Sequence, residues 1–232
     1  MRLLNFVLCC IMLISPNCFF AGSGFLIDKQ SISKVYVCAQ NKSEYKENVT
    51  ISVKTGGGEI RIIPTINFGY EPKAFLGDFI GNGLNQIFYC VNSGGSGAYS
   101  FYQIISLQNN CQKTIYDSSS FNNTVSATLE DCLIKIRFLN QYYCLDASNA
   151  DLSGQKEVFV SAVNTVMPIY NSGLNKYQIL QLQKIYIDYT ANNVGYFACV
   201  IDLNMDGGKI ISTGTFANFT YVALKIRSCK II

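Results

Sequence analysis

FLGDFIGNGLNQIFYCVNSGGSG, residues Phe75–Gly97, sets a strand, a tight polar loop, a second strand and a glycine turn in succession. Gly77, Gly81 and Gly83 supply the backbone freedom that a tight turn after Asp78 demands. IFYCVN, which follows, is an apolar, strand-like run. Gly94-Gly95-Ser96-Gly97 reads as a β-turn and not as a phosphate loop, because no Lys follows it and no helix starts there. The stretch therefore predicts an all-β unit built from hairpins.

Working outward, the same vocabulary repeats. Lys34–Gln40 alternates like a half-buried strand, and Val49–Lys54 with Glu59–Pro64 flank Thr55-Gly56-Gly57-Gly58 as a hairpin, with Lys54, Glu59 and Arg61 toward solvent. Asn67–Pro72, NFGYEP, reads as a turn cluster. Beyond the central stretch, Ala98–Leu107 and Gln112–Tyr116 are strands. Thr124–Glu130, Leu133–Leu139 and Tyr142–Leu145 form a meander with turns at Asp131 and Asn140-Gln141. Val158–Val163 is a strand and Met167–Lys176 a loop. Tyr177–Tyr189 is a strand in which Ile179, Leu182 and Ile185 also fit helical spacing; Val194–Leu203, Lys209–Thr215 and Thr220–Ile226 complete the set. The expectation is an all-β antiparallel meander, either a small or incomplete β-propeller or a two-sheet β-sandwich.

Composition sets the compartment and narrows the chemistry. The chain of 232 residues is 49% hydrophobic, enough for a sizeable core, and residues 22–232 read as one domain. Met1–Ala21, with Arg2 as its only charge and an apolar run from Leu3 to Ile14, has the outline of a secretory signal peptide. That run is shorter than the roughly 20 residues a span requires, so a secreted or cell-envelope location is expected, with no membrane span after removal. The net charge of +3 is scattered, which argues against a nucleic-acid partner. No histidine and no tryptophan occur, which removes the commonest general base and the commonest zinc ligand together. Beyond the leader, Cys38, Cys90, Cys111, Cys132, Cys144, Cys199 and Cys229 make an odd set without CxxC spacing. Most sit in apolar strand-like runs and read as small buried hydrophobes, with one or two disulfides as the alternative.

The central stretch resembles the FG-GAP or VCBS-type repeat of integrin-like β-propellers. There, a strand ending in Gly-Asp-Phe runs into an Asp-x-Asn-Gly-Asp-Gly loop. In order, GYEPKAFLGDF, GGSGAYSFYQI, YCLDASNADL, KYQILQLQKI and GYFACVIDL are similar to small secreted VCBS-repeat proteins of Gram-positive, spore-forming bacteria, over Lys34–Phe219. The resemblance implies an extracytoplasmic, propeller-related domain. In the metal-binding form of the loop, positions one, three, five and nine give side-chain oxygens and position seven a carbonyl. Those positions hold Asp78, Ile80, Asn82, Gln86 and Leu84 here, a poor set for a cation that takes six to eight oxygens. The loop reads as a turn kept for its shape, with weakly bound calcium as the alternative. Asp202-Leu203-Asn204-Met205-Asp206-Gly207 matches D-x-N-x-D-G. However, Ile210 and Thr213 stand where later ligands belong, so a plain hairpin is expected there, with a weak site on Asp202, Asn204 and Asp206 as the alternative.

The resulting expectation is a non-enzymatic β-domain with no cofactor, binding a protein or a glycan at the cell envelope. Two alternatives belong to other classes. One is a hydrolase in which two of Asp146, Asp151, Glu157 and Asp188 converge, and the other is a purely structural surface protein.

Overall fold

The computed structural model describes residue 32 and residues 34–217, apart from 56–57, 96–98, 109–110, 120–124, 149–156 and 189–192. The expected leader Met1–Ala21 and the expected strand Thr220–Ile226 lie outside the described residues. Among the described residues there are fifteen strands and no helix. They are β1 (Lys34–Cys38), β2 (Tyr45–Lys46), β3 (Thr50–Thr55), β4 (Gly58–Ile62), β5 (Gly69–Gly77), β6 (Gln86–Asn92), β7 (Ser100–Gln108) and β8 (Cys111–Asp117). The second half contributes β9 (Val125–Glu130), β10 (Leu133–Phe138), β11 (Gln141–Asp146), β12 (Val158–Asn171), β13 (Lys176–Ile187), β14 (Asn193–Asn204) and β15 (Gly207–Ala217).

Pairing follows chain order almost throughout, as in a meander. The sheets run β1-β3-β4, β2-β5-β6-β7-β8, β11-β10-β9 and β12-β13-β14-β15, every pair is antiparallel, and none closes on itself. Only β2 departs from this order, leaving the β1-β3-β4 sheet to pair with β5.

β6 explains why the sheets stack. Its run IFYCV is apolar on both sides, and a strand of that kind finds its minimum only where both faces are covered. Ile87, Tyr89 and Val91 face one way and join Val49, Ile51, Val53 and Ile62 under the β1-β3-β4 sheet, the sandwich-like element of the fold. Phe88, one residue out of phase with these, faces the other way. It enters a larger core with Ile134, Ile136 and Phe138 of β10, Ile179 and Ile185 of β13, and Phe197 and Ile201 of β14. In the β11-β10-β9 sheet the alternation is strict: Ile134, Ile136 and Phe138 are buried, while Leu133 and Arg137 are exposed.

Several sequence expectations are corrected. Asn67–Pro72 is not a turn throughout, since β5 already begins at Gly69. The pairing with β6 slips between Tyr70 and Lys73, so Glu71 (φ +46°) and Pro72, which has no N–H, are absorbed as a bulge. Met167–Lys176 is not a loop, because β12 runs on to Asn171 and pairs with β13 as far as Asn171↔Lys176. Pro168 is tolerated because β12 is an edge strand. The helical alternative for Tyr177–Tyr189 fails for a reason of burial. β13 uses both faces: Ile179, Ile185 and Ile187 lie in the main core, while Leu180 and Leu182 cluster with Ala198 and Val200 on the other side.

The cysteines are less uniformly buried than expected. Cys199 is buried, Cys90 and Cys144 are half-buried, and Cys38 and Cys132 are exposed. Burial pushes the Cys90 thiol up to about 11 and the Cys199 thiol up to about 12. Both stay protonated at neutral pH and are poor nucleophiles.

Candidate functional site

β5 ends by delivering Asp78 into the loop that precedes β6. The Asp78 carboxylate turns back on its own loop. Its Oδ1 accepts from the N–H of Gly81 (2.6 Å) and Asn82 (3.3 Å), and its Oδ2 from the N–H of Gly83 (2.8 Å). Gly81 (φ +75°) and Gly83 (φ +76°) hold the left-handed backbone that aims these amides inward. Asn82 Oδ1 accepts from the Leu84 N–H at 3.0 Å.

Gln86, the first residue of β6, fills the space inside this loop and is 1% exposed. Its Oε1 accepts from the N–H of Phe79 (2.6 Å) and Ile80 (3.2 Å). Two backbone donors on one oxygen fix the amide's orientation, and its Nε2 then donates to the Leu84 carbonyl (2.6 Å) and to Asn82 Oδ1 (3.4 Å).

The second loop is a two-residue hairpin, with Asn204 paired to Gly207 and the Asp206 N–H donating to Asn204 Oδ1 at 2.8 Å. Asp202 lies back along β14, away from the tip. Its Oδ1 meets Lys176 Nζ at 2.9 Å and accepts from Gln178 Nε2 at 3.1 Å. Lys176 Nζ also donates to the Leu203 carbonyl at 3.1 Å. The first loop touches Lys176 as well, together with its neighbour Tyr177. The Tyr177 N–H donates to the Asp78 carbonyl at 2.7 Å, and a Cβ on Gly81 would lie 3.0 Å from Lys176 Cδ.

The two stretches singled out by sequence are thus brought together at the start of β13. Lys176 and Tyr177, which join them, carried no sequence signal. An apolar strand beginning with Lys reads as a strand with a solvated end, yet this Lys is 8% exposed.

Most of these oxygens already have partners within the chain. Both Asp78 oxygens are held by backbone amides, Ile80 supplies none, and Asn82 Oδ1 and the Leu84 carbonyl face the N–H donors of Gln86. Asp202 already faces an ammonium, and the Asn204 side-chain oxygen accepts from the Asp206 N–H.

The other acids hold strand ends. Asp146 Oδ1 accepts from the Ser148 N–H at 2.9 Å. Asp188 (φ +57°) accepts from the Glu157 N–H at 3.2 Å, and its own N–H donates to the Glu157 carbonyl at 2.7 Å. Glu157 and Asp188 are therefore neighbours at one end of the β12–β13 pair, Asp146 belongs to a different sheet, and Asp151 lies outside the described residues.

Gln86 gives a direct test of this loop. Gln86→Leu keeps the bulk but strands the buried Phe79 N–H and the Leu84 carbonyl. The expected cost is about 2–6 kcal/mol, from about 1–3 kcal/mol for each of the two groups left unpaired. Urea unfolding measures it, and a loss below about 0.5 kcal/mol would show that the amide does not hold the loop.

No family model matches the chain, and no solved structure matches it. It is similar to the uncharacterized protein YybI of Bacillus subtilis (strain 168), with 26% identity over 184 residues, 68% of each chain being covered.

Proposed function

We propose that this chain is a secreted, non-enzymatic β-domain that binds a protein or a glycan at the cell envelope. The observation that carries the reading is an aromatic cluster at the edge of the five-stranded sheet. Tyr45 of β2 packs edge-on to Tyr70 of β5 (5.2 Å between ring centroids) and against Phe68 (6.4 Å), which is 46% exposed. Amide side chains lie beside it: Asn41 donates to the Tyr45 carbonyl at 3.0 Å, and Asn48 and Gln40 bond to each other. An exposed ring, Phe68, backed by the half-buried rings of Tyr45 and Tyr70 and next to hydrogen-bonding amides suits stacking on a sugar or docking of a partner's apolar side chain. The non-enzymatic part is supported by the use of Asp78, Asp146 and Asp188 as caps on backbone N–H groups. The outline of a leader in the sequence supports an envelope setting.

The test is retention of the folded chain on cell-envelope fractions. The expected result is saturable retention, lowered about tenfold or more when Tyr45 and Phe68 are both changed to Ala. Retention no greater than that of the denatured chain would reject the reading.

A further inference from the structure

We propose that Gln86 and Lys176 together stand in for a bound cation and lock the two loops into one permanent junction between the five-stranded and four-stranded sheets. The inference goes beyond the binding reading and does not depend on it. A divalent ion in such a loop does two things: it gathers oxygens that would otherwise repel one another, and it ties the loop to its surroundings. Both tasks are performed here by side chains of the chain itself. The Gln86 Nε2 donors gather Asn82 Oδ1 and the Leu84 carbonyl. The Lys176 ammonium gathers the Asp202 carboxylate and the Leu203 carbonyl.

The tie between the loops is equally specific. The stem of Lys176 lies against Gly81, where a Cβ would come within 3.0 Å of it, while its head reaches the end of β14 that leads into the second loop. The next residue bonds to Asp78 through its backbone N–H and lays its ring over Gly77, whose Cβ would come within 2.7 Å of Tyr177 Cδ2. Two consecutive residues of β13 thus hold the loop of β5–β6 on one side and the end of β14 on the other. Burial shows that this is not an incidental surface pair. The Lys176 side chain is 10% exposed and that of Asp202 31%, so the ammonium has exchanged most of its water for these two oxygens. A junction fastened in this way holds at any calcium concentration.

The experiment is thermal unfolding of the full chain, in EDTA and in millimolar calcium chloride, for the wild type and for Lys176→Met, Lys176→Arg and Gln86→Glu. Met keeps the stem and removes the charge; Arg keeps the charge; Glu replaces the donor of Gln86 with an oxygen that opposes Leu84 and Asn82. The expected results are a wild-type Tm that is the same in both media, a loss of several degrees in Lys176→Met and in Gln86→Glu in EDTA, and a smaller loss in Lys176→Arg.

A wild-type Tm several degrees higher in calcium would overturn the proposal, because the ion would then be entering the junction. So would Lys176→Met or Gln86→Glu melting with the wild type in EDTA. If Lys176→Met does not fold, a folded Lys176→Arg chain near the wild-type Tm supports the role of the charge. Failure of Lys176→Arg as well assigns the effect to the shape of the stem and overturns it.

Discussion

Phe79→Ala lowers stability by about 3–5 kcal/mol, the range for deleting a fully buried aromatic ring from a packed core. For a chain of this size that corresponds to a fall in Tm of about 6–20 °C. Phe79 is 0% exposed and sits where the loop, the five-stranded sheet and β13 meet. Its ring stacks on Phe88 at 6.1 Å, meets Phe75 edge-on at 6.1 Å, and packs against Tyr177 at 5.4 Å. These partners are themselves held by sheet pairing, so the space left by the ring cannot close by a small shift. The same substitution loosens the Phe79 N–H, which Gln86 accepts. Equilibrium urea unfolding is the measurement, and a cost under about 1 kcal/mol would mean that the aromatic cluster repacks. Phe79→Leu, which fills most of the volume, is expected to recover about half of the loss.

Gly69→Ala is expected to cost about 2–6 kcal/mol, combining backbone strain with overpacking, each about 1–3 kcal/mol. Gly69 has φ +136°, and a Cβ there would lie 2.5 Å from the Asn92 carbonyl oxygen and 2.7 Å from Val91 Cγ2. The obstacle is the backbone of β6, which is fixed by its pairing with β5 and β7, so it cannot move aside without breaking that pairing. Gly58→Ala is the matched control. Gly58 has a similar φ of +125° but nothing within 4 Å of a built Cβ, so only the strain remains, about 1–2 kcal/mol. Equal losses in the two variants would show that the close approach of β5 to β6 does not matter.

What could be read in the residues follows from what short-range physics encodes. The double-sided apolar run of β6, the strict alternation of β10 and the glycine turn between β3 and β4 each state a local requirement, and each strand formed where the pattern placed it. Misreadings arose where one residue's local preference ran against the sheet. Pro168 and Pro72 signal breaks, yet an edge position and a bulge accommodate them. In β13, a spacing that fits a helix belongs to a strand buried on both faces.

The candidate loops illustrate the division most sharply. The sequence by itself determined the all-β class, the position of each loop and which oxygen-bearing residues each loop carries, because these depend on residue type and near neighbours. Only the tertiary structure decided what sits among those oxygens. Gln86 lies eight residues from Asp78 and reads as one more acceptor until its oxygen is seen to be taken by Phe79 and Ile80, which turns its amide hydrogens inward. Lys176 is distant in sequence from the first loop and from Asp202. It reaches both because β13 pairs with β14 while the β5–β6 loop packs across its first residues. A charge is drawn into a buried position by groups that the chain assembles only on folding, so its role is a property of the assembled sheets and not of any stretch of the sequence.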